Sequence, residues 1–309
     1  MAKRKFSIVV PIYYNEANIQ HTVPRLQALE SSLPDYDLEF VFVDDGSGDA
    51  SLELLLEERR KDPRVKVIKL SRNFGSMSAI QAGLSHATGD CVGIITADLQ
   101  DPPELFADMI SLWEKGNKVV LAVREGRKES LAQRLFAGVY YRLLHRFALP
   151  GYPSGGFDFL LVDKQVVREL VEIREKNTNI MSLVYWLGHQ RVLVPYVREE
   201  RKHGKSRWTL AKKIKLFVDS FVNFSYTPIR IMSLIGFVTA FLSFAYGLFV
   251  VVNLLVGRVH VPGYTTIIAL VTFLLGLVMV MLGIVGEYLW RILDESRNRP
   301  GYVVDDVYD

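Results

Sequence analysis

The 309-residue chain has a single cysteine, Cys91, at the head of an apolar run that extends to residue 95. One cysteine cannot close an internal disulfide, so nothing ties the fold to an oxidising compartment. The residue reads as a small buried hydrophobe. A large charge excess is also missing. Lys and Arg number 37 against 34 Asp and Glu, a net charge of +3, which argues against nucleic acid as a partner. Neither common glycine-rich phosphate loop is present, which argues against a dinucleotide fold and a P-loop NTPase. There is no internal repeat and no low-complexity segment. The N-terminus lacks the apolar stretch of a signal peptide, because the run 6–10 behind Lys3, Arg4 and Lys5 soon meets Pro11, Asn15 and Glu16. It suits a buried strand, and the expectation is an uncleaved, cytosolic N-terminus.

Charge is scarce in one region above all. Between residues 229 and 289 the only charged side chains are Arg230, Arg258 and Glu287. The apolar runs 229–256 and 264–289 each exceed the roughly 20 residues that cross a ~30 Å hydrocarbon core. They read as a transmembrane hairpin, since helices of a soluble core rarely stay apolar all round for this length. Basic residues flank it on both sides: Lys205, Arg207, Lys212, Lys213 and Lys215 before, Arg291, Arg297 and Arg299 after. The link carries Arg258 alone, so both ends are expected in the cytosol and the link outside. Gly276, Gly283 and Gly286 would let helices approach closely and point toward a homo-oligomer. Just upstream, Leu210, Ile214, Phe217, Val218 and Phe221 share one helical face, with Lys212, Lys215, Asp219 and Asn223 opposite. This stretch is expected to lie in the membrane interface or to pack on the soluble domain.

Residues 1 to about 200 have a different texture. Strand-like runs fall at 6–12, 38–44, 65–70, 91–96, 118–123, 157–162 and 191–195, with helical patterns at 17–31, 51–60 and 77–87. Alternation of this kind implies an α/β domain with a mostly parallel sheet covered on both faces. Ligands of such sheets bind at the carboxyl ends of the strands, and polar residues collect there. The first four strands run into Pro11-Ile12-Tyr13-Tyr14-Asn15-Glu16, Asp44-Asp45-Gly46-Ser47, Ser71-Arg72-Asn73-Phe74-Gly75 and Thr96-Ala97-Asp98-Leu99-Gln100-Asp101.

In this order, VPIYYNE, VDDGS and ADLQDPPE resemble the family 2 glycosyltransferases of the GT-A fold. Within them the chain is similar to the polyprenyl-phosphate branch, which includes bactoprenol glucosyltransferases and dolichol-phosphate mannose synthases. The resemblance continues through GGFDFLLVD, the basic segment 198–215, the hairpin and the terminal RPGYVVDD. It implies a cytosolic GT-A domain (1–205), a juxtamembrane amphipathic helix (206–228), the two spans within 229–290 and a cytosolic tail (291–309). The protein would then be multi-pass in the inner, or plasma, membrane.

The same resemblance assigns roles. Pro11, Tyr13, Glu16 and Asp45 match positions that hold the nucleoside, with Asp44 and Asn73 beside them. The Asp44-Asp45 pair also reads as a loop turn that caps the next helix. Asp98 and Gln100 match metal-contacting positions for Mg²⁺ or Mn²⁺, held largely through the nucleotide. Asp98 and Asp158 are the candidate catalytic carboxylates. Arg124, Arg134, Arg201, Ser206 and Arg207 are candidates for the acceptor phosphate. The chain departs from the family pattern twice. An extra residue makes Tyr13 and Tyr14 compete for one role, and Thr96 stands where Asp-x-Asp has its first carboxylate.

The implied activity is inverting transfer of a hexose from a nucleotide-sugar to a polyprenyl phosphate, with UDP-glucose as first donor and GDP-mannose, amino or modified sugars as alternatives. A processive polysaccharide synthase fits less well: Gly204 lies three residues before Arg207-Trp208, where such enzymes carry Gln-x-x-Arg-Trp, and two spans make a poor polymer channel. A non-catalytic membrane scaffold is supported by Thr96 alone.

Overall fold

Period-two patterning divides the residues of the central strands between two cores. The structure, a computed structural model, describes residues 3–98, 100–125, 131–153, 156–176, 178–199, 218–225, 227–256 and 263–309. In β1 (Arg4–Ile12) and β2 (Tyr36–Asp44), Phe6, Ile8, Val10, Leu38, Phe40 and Phe42 enter one core. Val9, Val41 and Val43 enter the other. Strands buried on both faces are expected at the centre of a sheet covered by helices. The first core is closed by α1 (Glu16–Gln27), α2 (Ser51–Lys61) and α4 (Leu105–Glu114), which contribute Ile19, Val23, Leu55, Phe106 and Met109. The second is closed by α3 (Ser76–His86), α6 (Lys164–Glu172) and α7 (Ile180–Trp186), through Ala79, Ile80, Val166, Leu170 and Leu183.

The remaining strands are β3 (Val65–Leu70), β4 (Cys91–Ile94), β5 (Val119–Arg124), β6 (Phe159–Asp163), β7 (Arg191–Tyr196) and β8 (Val304–Tyr308). The eight-stranded order is β7-β5-β6-β4-β1-β2-β3-β8. β4, β1, β2 and β3 pair in parallel, as do β5 and β7, while β6 and β8 run antiparallel to their neighbours. The carboxyl ends of β1, β2, β3, β4, β5 and β7 therefore share one edge of the sheet.

The sheet agrees with the mostly parallel expectation, with one addition. The terminal segment is not a loose tail: β8 pairs with β3, Val67 opposite Tyr308 and Ile68 opposite Val307. Lys69 reaches Asp305 at 2.6 Å, and Ser71 N donates to Val303 O at 3.0 Å. Helix α5 (Leu131–Phe147) runs between β5 and β6.

Two long helices, α8 (Thr227–Leu255) and α9 (Tyr264–Ser296), precede β8. Both are long and apolar enough to cross a membrane, and neither is buried in the protein. The expected amphipathic stretch lies mostly outside the described residues. Its described end, 218–224, is helical, and there Arg291 of α9 donates to Asp219 at 2.7 Å and to Asn223 at 2.9 Å. The end of α9 also meets the α/β domain, where Lys176 Nζ donates to Asp294 O at 2.6 Å.

Candidate active site

The loop after β1 begins with Pro11 in the strand. Tyr13 N donates to Asn15 Oδ1 at 3.1 Å, and Asn15 N to Ser51 Oγ at 2.8 Å. Tyr14 takes a left-handed backbone (φ 53°), unusual for a bulky residue, and its N–H reaches Ser47 Oγ at 3.0 Å. The two rings meet edge to face at 4.7 Å. The Glu16 carboxylate accepts from Ala50 N at 3.1 Å, at the start of α2.

The Asp44-Asp45 pair is almost wholly buried. Asp44 accepts from Ser47 N at 3.3 Å, which makes the anticipated loop turn without the anticipated cap on α2. Asp45 reaches across to the β3 loop, accepting from Phe74 N at 2.7 Å, Gly75 N at 2.9 Å and Asn73 Nδ2 at 2.8 Å. Burial pushes both carboxyls above the ordinary range, against the Ser47 donors for Asp44 and the backbone donors of residues 74 and 75 for Asp45. The turn between β2 and α2 depends on Gly46 (φ 68°), where an added Cβ would sit 2.6 Å from the backbone carbon of Arg72. Asn73 is thus tied to Asp45, and the two loops form one unit.

The β4 loop holds the densest polar cluster. Thr96 Oγ1 lies 2.9 Å from Asp98 Oδ1 and 3.1 Å from Asp101 Oδ2. Gln100 N approaches Asp98 Oδ1 at 3.3 Å, and Gln100 Nε2 donates to Glu199 O at 3.3 Å. Arg198 stands over both carboxylates, its Nε 3.3 Å from Asp101 Oδ1 and its Nη2 3.9 Å from Asp98 Oδ2. Tyr196, the last residue of β7, gives its hydroxyl proton to Asp101 Oδ1 at 2.5 Å and accepts from Arg124 Nε at 3.3 Å. Arg124, the last residue of β5, also pairs closely with Asp158. Burial opposes the Arg124 charge, but Asp158 and Tyr196 outweigh it, and the guanidinium holds its proton more firmly than usual. Tyr196 likewise keeps its proton, through burial and the adjacent Asp101.

Pro11, Tyr13, Glu16, Asp44, Asp45, Asn73, Asp98 and Gln100 therefore lie on the strand ends and loops at one edge, and Arg124 and Asp158 join the same cluster through Tyr196. Arg134 falls on α5 with its side chain outside the described residues, as are Arg201, Ser206 and Arg207. Sequence reading gave no role to Asp101, Tyr196 or Arg198. Asp101 lies within ADLQDPPE, and Tyr196 and Arg198 lie at the carboxyl end of β7, where ligands of such sheets bind.

Among the described residues no group of three His, Cys, Asp or Glu forms a ready metal cage. The donors present are oxygens, the Asp98 carboxylate and the Gln100 amide. These suit a hard divalent ion that takes its remaining ligands from a substrate.

Fold and site together define a GT-A enzyme, with a mostly parallel sheet and carboxylates and arginines gathered at its carboxyl edge. Residues 7–171 match the family described as glycosyl transferase family 2, and the chain belongs to that family. It is 39% identical over 306 residues to an uncharacterised glycosyltransferase, YkcC, of Bacillus subtilis, covering 98% of this chain and 94% of that one. It is 34% identical over 301 residues to the bactoprenol glucosyl transferase of Shigella phage SfV, covering 97% and 98%. Among solved structures, the mannosyltransferase PcManGT of Pyrobaculum calidifontis, in complex with GDP-Man and Mn²⁺, is 18% identical with a TM-score of 0.49, over 69% of this chain and 61% of that one.

Proposed function

We propose that the protein transfers glucose from UDP-glucose to a polyprenyl phosphate at the cytosolic leaflet, with inversion at the anomeric carbon. The observation that carries this reading is the likeness to bactoprenol glucosyl transferases, which runs through 97% of the chain and so takes in both apolar helices. The acceptor is a phosphate monoester with a second pKa near ~6, already largely ionised at neutral pH. A strong general base is therefore not required, and the harder task is to bring two polyanions together.

The residues suit that task. Arg124, kept charged by Asp158, faces the acceptor phosphate and can grip it through two parallel N–H groups. Asp158 is committed to that arginine, so its role is to orient Arg124 rather than to remove a proton. Glu16, Asp45 and Tyr13 hold the nucleoside, with Asp44 and Asn73 shaping the two loops around it. Asp98 and Gln100 would hold Mg²⁺ or Mn²⁺, which neutralises charge on the departing diphosphate. Arg134, Arg201, Ser206 and Arg207 complete the acceptor side. Helices α8 and α9 anchor the enzyme in the inner membrane with both termini cytosolic.

The test is a donor panel offered to the purified protein in nanodiscs with undecaprenyl phosphate and Mg²⁺ or Mn²⁺. A β-linked glucosyl lipid, identified by NMR, is the expected product. Consumption of none of the donors, or a product of retained configuration, would overturn the proposal.

A further inference from the structure

One carboxylate in the site has no task in the transfer so far described. Asp101 exposes no surface, and a carboxylate is costly to bury unless charge and hydrogen bonds surround it. Here Thr96, Tyr196 and Arg198 converge on it from the loop after β4 and from the end of β7. All three lead onward, and Arg198 Nη2 lies 3.9 Å from Asp98 Oδ2. Thr96 Oγ1 touches Asp98, on the donor side, at 2.9 Å. The Tyr196 hydroxyl touches Arg124, on the acceptor side, at 3.3 Å.

Proton counting makes this chain directional. A hydroxyl has one proton and two acceptor sites. Tyr196 gives its proton to Asp101 and offers a lone pair to Arg124. Thr96 lies within reach of two carboxylates and cannot satisfy both with one proton. In one arrangement it serves Asp98, and Asp101 relies on Tyr196 and Arg198. In the other it serves Asp101, while Asp98 Oδ1 keeps the Gln100 N–H at 3.3 Å. Which carboxylate Thr96 serves sets the donors that Asp101 has, and the Tyr196 hydroxyl joins Asp101 to Arg124.

We propose that Thr96, Asp101 and Tyr196 form a positioning relay that registers the Arg124 guanidinium against the Asp98 carboxylate, so that acceptor and donor are aligned together. The inference rests on the reading of this edge as a glycosyl-transfer site. In this relay the three side chains act through Asp98 and Arg124, and they are therefore positioning residues. Thr96 then replaces the first carboxylate of Asp-x-Asp with a connector, not with a weaker ligand.

The test uses the full-length protein in nanodiscs with Thr96→Val, Tyr196→Phe, the double variant and Thr96→Ser. Turnover of UDP-glucose with undecaprenyl phosphate is resolved into kcat and the two KM values. The ¹⁵N Nε–H resonance of Arg124, assigned by its loss in Arg124→Lys, is followed without turnover. Each single removal of a hydroxyl should lower kcat about 10-fold with donor KM within about 2-fold, the split expected when alignment rather than binding is lost. The double variant should lose about 10-fold rather than about 100-fold, because groups acting through one network are not additive. Thr96→Ser should recover kcat to within about 3-fold, and Thr96→Val should move the Arg124 resonance. Multiplicative losses, no recovery with serine, or an Arg124 signal blind to Thr96→Val would each overturn the relay. If the wild type transferred no sugar, the functional reading would fail, while the resonance would still decide the relay.

Discussion

At the scale of single residues, the site rests on a few side chains at the carboxyl edge of the sheet. Asp98 is the one carboxylate of the β4 loop that sits beside the Gln100 amide without being wholly buried. Asp98→Ala is expected to cut transfer by at least about 10²-fold, the scale on which loss of one group that stabilises developing charge acts. Expression and melting should stay near wild type, and unchanged turnover would remove the metal-site assignment. Gly46 carries a different constraint, since its φ of 68° and the 2.6 Å approach to Arg72 leave no room for a methyl group. Left-handed backbone costs an L-residue about 1–2 kcal/mol, before the overlap is counted. Gly46→Ala should therefore lower the melting temperature by about 2–8 °C, given roughly 2–4 °C per kcal/mol for a domain of this size. It should also weaken UDP binding, because the strain falls on the Asp44–Ser47 turn and the loop of Asn73. A calorimetric titration beside a thermal melt checks both.

At the scale of elements, most of the sheet could be read from the sequence because its strands are short apolar runs bounded by polar loops. The run 65–70 matches β3 to the residue, and the others differ by one to three residues at their ends. β8 escaped because Val304–Tyr308 alternates with Asp305 and Asp306 and has no apolar run of its own. Its partner, β3, lies more than 200 residues earlier. Tyr196 and Asp101 stand at strand ends that the sequence does mark, but their contact joins the ends of β7 and β4, which local pattern does not encode. Removal of residues 302–309 should cost about 1–4 kcal/mol, from four cross-strand pairs at about 0.2–1 kcal/mol each. It should also loosen the donor loop through the lost Ser71–Val303 bond, which a higher Kd for UDP would report. Glu39 joins elements at the other end of the sheet, accepting from Ser7 Oγ, Thr88 N and Oγ1 and Lys5 Nζ. Burial raises its pKa, but these donors outweigh burial and the net shift is downward. A depressed carboxyl stabilises the fold above its unfolded value of ~4.3, and that stability is lost as pH falls through the folded value. Melting temperature should fall on acidification below about pH 4.3, and Glu39→Gln should flatten that limb. An identical acid limb in the variant would assign the loss to other carboxyls.

At the scale of the whole molecule, β8 constrains the membrane arrangement more tightly than hydropathy does. The chain leaves the α/β domain before α8 and returns to the same sheet after α9, as its eighth strand. A strand paired with β3 lies on the domain's side of any bilayer, so the intervening segment must cross an even number of times or not at all. Two helices of sufficient length and apolar character, with no buried residue in their most apolar stretches, match two crossings. The excess of basic residues flanking the pair over those in the link favours the α/β domain in the cytosol. Cysteine labelling separates the alternatives, since the native Cys91 is fully buried and can be replaced by alanine to give a silent background. In that background, Arg258→Cys should react with a membrane-impermeant maleimide from outside intact spheroplasts. Asp309→Cys should react only after permeabilisation. Labelling of both positions from the same side would mean that the helices lie on the membrane without crossing it, and the site would then meet its lipid from a different geometry.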